Sequence, residues 1–339
     1  MGLFRKKPAL PVRDIILDHT YEDEILDAAV GAVLEGELKP AITALAECRD
    51  QPEIRSLRVR VLAENLVGKA EALQDVGHST GDPDVWLLAG VTFIEEAWAI
   101  RGTGRAKTVG TDRFKMFYAT LRKAIGPLNV AGELLEKDAE PWSQLQTVAM
   151  GLQADRDQKD EIWREVIARC PTLYSAHYRR LQILATKWGG SQEEVLAFAR
   201  GSVDTAPSGD PLAAMLPVAH FEVMLDGLNT AIDNNSALKL ATIPTSYFRA
   251  VRAEIDTAAD KWMMAIPRSH PRTLEAHNAF AAAYVLAEEP LRARAHLMGM
   301  RDHLHHLPWG YFSFGKDTIR EEYLKAMAEY VLRPPRLTF

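Results

Sequence analysis

Cysteine is almost missing from this chain: 339 residues carry two, Cys48 and Cys170. Two thiols cannot build a disulfide framework, so small, partly buried residues in a reducing compartment are expected. Long apolar runs are missing too. The uncharged stretch from Pro141 to Ala154 is too short to cross a bilayer and contains polar residues. The start, MGLFRKKPALPVRD, has a basic tip with no apolar segment behind it, which argues against a secretory leader. Gly2 is followed by Lys6 where a myristoylation signal has Ser or Thr, and Phe4 with Arg5, Lys6 and Lys7 would anchor only weakly to an anionic surface. A cytoplasmic protein without a membrane span is expected.

Positive charge is not in excess either. Lys and Arg number 40 against 46 Asp and Glu, a formal net charge of −6, which gives no general attraction to phosphate backbones. Nucleic acid is therefore not an expected partner. Catalytic signatures are missing as well: there is no GxSxG, no phosphate-cradling glycine loop, no dinucleotide fingerprint and no paired-cysteine metal motif. Gly102-Thr103-Gly104 lacks the remaining glycine of a nucleotide loop and follows a helical pattern rather than a strand. The chain is expected to be no enzyme, with no catalytic residue, no cofactor and no metal.

What is present is helical periodicity. Patterns begin at Glu22, Lys39 (with Pro40 suited to a first turn) and Pro52, then run over Val85–Ile100, Phe114–Ile125, Pro127–Lys137, Trp142–Ala154 and Lys159–Arg169. Further helices are predicted over Asp210–Leu225, Ser246–Ile266, Thr273–Ala287, Pro290–His305 and Asp317–Val331. Gly77–Asp84 reads as a turn-rich break, Gly102–Gly110 as a loop or hinge, Gly227–Thr242 as a long connection, and Arg333–Phe339 as a tail.

The clearest supersecondary signal lies between Tyr174 and Arg200. Tyr174, Tyr178, Leu181, Leu184 and Trp188 recur at spacings of three and four, which places them on one helix face. Gly189 and Gly190 can close that helix in the left-handed conformation. Ser191 and Glu194 have capping-box spacing for a second helix carrying Val195, Phe198 and Ala199, which Ala206-Pro207 ends. Neither helix can bury its stripe alone. Pro141, Pro171, Pro207 and Pro244 are spaced 30, 36 and 37 residues apart, as is Pro271 from Pro308 by 37. Tetratricopeptide hairpins repeat at about 34 residues with a terminal proline, so a degenerate repeat of that kind is predicted. A non-repetitive helical bundle is the alternative.

Lys187-Trp188-Gly189-Gly190-Ser191, then Ala197-Phe198-Ala199-Arg200 and Ala219-His220-Phe221-Glu222, resemble a bacterial family of domains of unknown function carrying a KWGGS motif. Ala97-Trp98 with Arg101-Gly102 is similar to its actinobacterial members. The resemblance covers roughly residues 84–222 and the C-terminal third more loosely. It implies a tetratricopeptide-like fold and no particular activity.

The candidate binding residues are Lys187, Trp188, Arg179, Arg180, His220 and Glu222. A tryptophan face beside a lysine and an imidazole suits an anionic or aromatic group; the structural reading has Trp188 plugging the hairpin. Arg179, Arg180 and Lys187 would form a basic patch on an outer face, suited to an acidic peptide. His303 and His306 would share a helix face beside Asp302 and His305, a spacing compatible with two zinc or nickel ligands but completed by no further motif. Tryptophans 86, 98, 142 and 163 read as core, and Pro308-Trp309-Gly310-Tyr311-Phe312 as a plug or a partner anchor.

The expectation is an all-α, tetratricopeptide-like helix-hairpin solenoid of about twelve to fourteen helices. Its segments would be an N-terminal helical part (1–76), a core with the KWGGS hairpin (84–225) and C-terminal hairpins (243–332). Its function would be to bind a protein or peptide as a non-enzymatic adaptor or scaffold. The alternatives are a small-molecule sensor or enzyme with a pocket around Trp188, His220 and Glu222, and a structural subunit of a larger assembly.

Overall fold

Local caps set where the helices begin. The Asp23 carboxylate accepts a hydrogen bond from the Leu26 N–H, and α1 (Glu24–Leu34) starts there. α2 (Lys39–Ala46) and α3 (Pro52–Glu64) each carry a proline in the first turn, where its missing N–H costs nothing. α4 (Ala70–Thr80) ends on left-handed Gly81, and Asp82 then caps α5 (Pro83–Arg101). α6 (Thr111–Lys123), α7 (Ile125–Leu134) and α8 (Glu140–Gly151) follow, then α9 (Arg156–Arg169), which Asp155 caps. α10 (Tyr174–Leu184) and α11 (Gln192–Thr205) form the KWGGS hairpin. The remaining helices are α12 (Met215–Asp233), α13 (Ala237–Met263), α14 (Thr273–Ala287), α15 (Pro290–Gly299) and α16 (Thr318–Ala326), the last continuing as a π turn over Met327–Val331.

The computed structural model describes residues 14–17, 19–102, 110–266, 269–313 and 318–332. The basic tip, residues 103–109 and the tail from Arg333 lie outside the described residues. Within them the only strand-type pairing is an isolated bridge between Ile16 and His303. The fold is all-α. The sixteen α-helices among the described residues exceed the expected number, and α4 is the helix the pattern did not contain.

Two compact units divide the described residues: Thr20–Val195, and those from Leu196 onward together with those up to His19. The division falls inside α11. In the first unit α5 is the central helix, with α3, α4, α6 and α7 packed on it. Val85, Leu87, Leu88, Val91, Phe93 and Ile94 are all buried, so its apolar residues run around the whole circumference, as a core helix requires. At Gly90 a Cβ would lie 2.7 Å from the Leu128 side chain, so this glycine lets α7 come close. In the second unit α12, α13, α14 and α15 pack in sequence. α14 is apolar all round, with Leu274, Phe280, Leu286 and a run of alanines buried.

Several expectations are corrected. Gly77 to Thr80 are helical, so the break is confined to Gly81 and Asp82. No long connection spans 227–242: α12 reaches Asp233, and a short turn through Asn235 (φ +50°) leads into α13 at Ala237. Pro244 does not end a helix but lies inside α13. α15 stops at Gly299, well short of His305, because Arg301 and Asp302 both adopt positive φ. Among the described residues one stretch, Pro211–Asp233, is long and apolar enough to cross a membrane, and 72% of that window is buried, as a core helix would be.

Candidate functional site

The KWGGS turn is built by two glycines with different duties. After α10, Thr186–Trp188 form one 3-10 turn, and Gly189 follows at φ +90°, where side chains are strained. Gly190 is needed for space, since a Cβ there would lie 2.0 Å from the Leu184 carbonyl oxygen. Ser191 Oγ then accepts the Glu194 N–H at 3.1 Å, the capping contact that its spacing predicts.

This turn delivers Trp188, half-buried, against α5. Its ring meets Trp98 edge-on with centroids 5.9 Å apart, and Phe117 flanks Trp98 at 5.1 Å. The Arg101 guanidinium lies 5.3 Å from the Trp98 centroid and 6.0 Å from that of Trp188, so one cation addresses both indoles. Lys187 is exposed. Trp98, Arg101 and Trp188 all keep part of their surface in water.

One turn before Trp98 on the same face stands Glu95. Burial, and then the Glu64 carboxylate, push its carboxyl up to about 7, while Arg60 and Arg179 pull the other way. Arg60 and Glu64 pair across one turn of α3 at 3.6 Å. Arg179 donates to Ser143 Oγ at 2.6 Å and approaches the fully buried Glu140 to 3.7 Å. Burial raises Glu140 as well, and its carboxylate accepts from Gln144 at 2.6 Å. The outcome is a strip across α3, α5 and α10 in which charges of both signs adjoin a pair of indoles.

The other sequence candidates have defined places. Arg180 turns onto Asp160 and lies 6.0 Å from the Trp163 ring. Neither arginine occupies an outer face: the Arg179 side chain is 13% exposed and that of Arg180 7%, because each is drawn onto a carboxylate of its own unit. His220 and Glu222 belong to the second unit. There His220 Nδ1 meets the Tyr247 hydroxyl at 2.9 Å, and buried Glu222 accepts from the Tyr311 hydroxyl at 2.7 Å. Thus Trp188 and Arg179 belong to the first unit, and His220 and Glu222 to the second, where each has its own tyrosine partner.

Trp86 is buried, Trp163 meets His177 edge-on, and Trp142 carries the Arg169 guanidinium at 5.0 Å. Trp309 is fully buried and donates to Asn278 Oδ1 at 3.2 Å, as a plug would, while Tyr311 and Phe312 of the same PWGYF segment stay partly exposed. His303 and His306 share no helix face, since both lie beyond α15; His303 is buried beside the bridge to Ile16. Among the described residues no group of three or more His, Cys, Asp and Glu is placed to hold a metal ion.

Sequence reasoning missed Glu95, Glu64, Arg60 and Arg101. A signal did exist for one of them: Glu95, with Glu96, interrupts a largely apolar run one turn before a tryptophan. No family model, no curated protein and no solved structure matches the chain.

Proposed function

We propose that the chain is a non-enzymatic adaptor that binds a protein or peptide partner along the Glu95–Trp98–Trp188 strip. The observation that carries this reading is the partly exposed indole pair, bridged by Arg101, one turn from Glu95, which Glu64, Arg60 and Arg179 surround. Tryptophan and arginine are the residues most enriched where partners are held tightly, because they bury large area around a directional contact. Charges of both signs beside them set orientation and register more than raw affinity. The helix-hairpin architecture and the KWGGS resemblance agree with an adaptor of tetratricopeptide type, in which the scaffold presents a surface rather than a reactive centre.

Glu95 gives the partner a chemical preference. A carboxyl held near 7 is partly protonated at neutrality, and a cationic side chain arriving from a partner favours its ionised form. Binding of a basic segment then releases a proton.

The test is to tag the protein in its native host and identify what co-purifies, with Trp188→Ala and Lys187→Glu in parallel. A specific protein partner is expected with the wild type and weakened at least about tenfold in Trp188→Ala, with helicity and melting unchanged. No protein partner, or one held equally well by both variants, would overturn this reading.

A further inference from the structure

A row of four ionisable side chains in the second unit does something the adaptor reading does not need. Arg200 on α11 grips Glu254 on α13, with Nε 2.5 Å and Nη2 3.2 Å from its two oxygens. Glu254 lies 3.3 Å from Nε2 of His220 on α12, and His220 Nδ1 lies 2.9 Å from the Tyr247 hydroxyl. Tyr247 and Glu254 are two turns apart on one face of α13, so a single helix brackets both nitrogens of the imidazole. Nε2 stands within ion-pair distance of the carboxylate without a hydrogen bond to it. In the tautomer that carries the proton on Nε2, on the side of that carboxylate, the Nδ1 lone pair accepts the phenolic proton.

The geometry follows the order nucleophile, base, orienter that activates hydroxyl nucleophiles in general: a hydroxyl on an imidazole, the imidazole on a carboxylate, the carboxylate held by a fourth group. Burial grades the row. His220 is 1% exposed, whereas Tyr247 and Glu254 are both partly exposed. Tyr247 therefore keeps part of its surface in water while its base is buried.

We propose that Tyr247 is an acyl-acceptor site, which takes an acyl group from an activated ester with His220 as its base. As Tyr247 Oη attacks the acyl carbon, the new Oη–C bond forms and the phenolic proton passes to His220 Nδ1. The bond between the acyl carbon and the leaving aryl oxide breaks, and His220 returns the proton to that oxide. No oxidant or further reactant enters. The charge that appears on His220 is met by Glu254, itself held by Arg200.

The environment also sets the pace. Burial holds the His220 imidazole down to about 4, despite Glu254, so it is a weak base and the transfer is slow. Burial and Glu254 raise the Tyr247 phenol, so the reaction proceeds by transfer to the imidazole and not through a standing phenolate. A slow, stoichiometric acylation makes Tyr247 a modification site rather than a turnover centre, and the proposal stands apart from the strip of the first unit.

The probe is p-nitrophenyl acetate, added to the full chain, with nitrophenol release followed by absorbance and acetylation mapped by peptide mass spectrometry. Tyr247 is expected to acetylate at least about tenfold faster than Tyr178 in the same molecule. Labelling should vanish in Tyr247→Phe and slow about tenfold in Glu254→Gln, both with unchanged helicity. The rate at Tyr247 should be level from pH 6 to 8, because its base is already neutral there, whereas a free phenolate would react about tenfold faster per pH unit. Tyr247 acetylating no faster than Tyr178, a rate unaffected by Glu254→Gln, or a rate that climbs with pH would each overturn the proposal.

Discussion

The two units differ in the polar cluster that each buries most deeply. In Thr20–Val195 the interior is charged: Arg55, fully buried, holds Asp84 at 2.7 Å and Asp138 at 2.6 Å and donates to the Leu45 carbonyl at 2.9 Å. The unit from Leu196 onward also buries an ion, Arg272 held by Glu275 at 3.0 Å, but it carries in addition a pair of buried imidazoles. His277 and His296 face each other Nδ1 to Nδ1 at 3.0 Å, one donating and the other accepting, with Trp262, Phe280 and Tyr284 packed around them. Buried ions must stay paired to be tolerated, whereas neutral imidazoles need only a hydrogen-bond partner. The same kind of helical packing thus fails in different ways under mutation and under acid.

Arg55→Ala should produce the largest effect. It strips the countercharge from buried Asp138 and leaves buried Asp84 to Arg49 alone, and a loss of about 3–5 kcal/mol is expected from urea denaturation. Acidification should come next and should separate the units. His220 and His277 are each held down to about 4 by burial, and His296 is also lowered. Their unfolded values lie near 6.5, so between those limits the unfolded chain binds more protons. Stability from these groups is therefore full above 6.5 and is lost as pH falls towards 4, by about 3 kcal/mol for His220 alone. Glu95 has the opposite sign: its raised carboxyl binds protons more readily when folded, so it favours the first unit as pH falls from 7. Hydrogen exchange at pH 7 and pH 5 should show protection lost preferentially after Leu196, and a uniform loss across both units would break the comparison.

His296→Leu should cost less than Arg55→Ala, about 1–2 kcal/mol, because it leaves one neutral imidazole nitrogen without its partner rather than a buried charge. Equal losses in the two variants would show that the histidine pair is as demanding as the Arg55 cluster. The smallest effects belong to exposed pairs, one in each unit: Lys123 with Glu71 and Lys325 with Glu322. Lys123→Ala and Lys325→Ala are expected to leave the melting midpoint unchanged, since water and salt screen such pairs.

Much of the helical layout was legible because local chemistry fixes it. Pro40 opens α2, and the Ser191 cap starts a helix at the predicted spacing. The region 227–242 was not legible because many of its residues are exposed, and nothing there imposes an apolar repeat. The hydroxyls of Thr230, Thr242 and Ser246 bond back to carbonyls four residues earlier, so residues that look like loop formers ride on helices. The site divides in the same way. Trp188 stood out through its glycines, whereas Glu95 takes its meaning from Arg60 and Arg179, which lie 35 and 84 residues away. Charges of that kind read as surface until the fold places them together. His303 and His306 misled for the converse reason: their spacing implies a shared face only while the backbone stays helical.

The edge-on meeting of Trp98 and Trp188 carries an optical consequence. Two indoles 5.9 Å apart and near perpendicular, at an interplanar angle of 85°, couple their electronic transitions. The pair should therefore give a circular dichroism couplet that vanishes in Trp188→Phe. Anything that settles on the strip and shifts either ring will change the couplet's amplitude, so the protein carries its own label for the encounter.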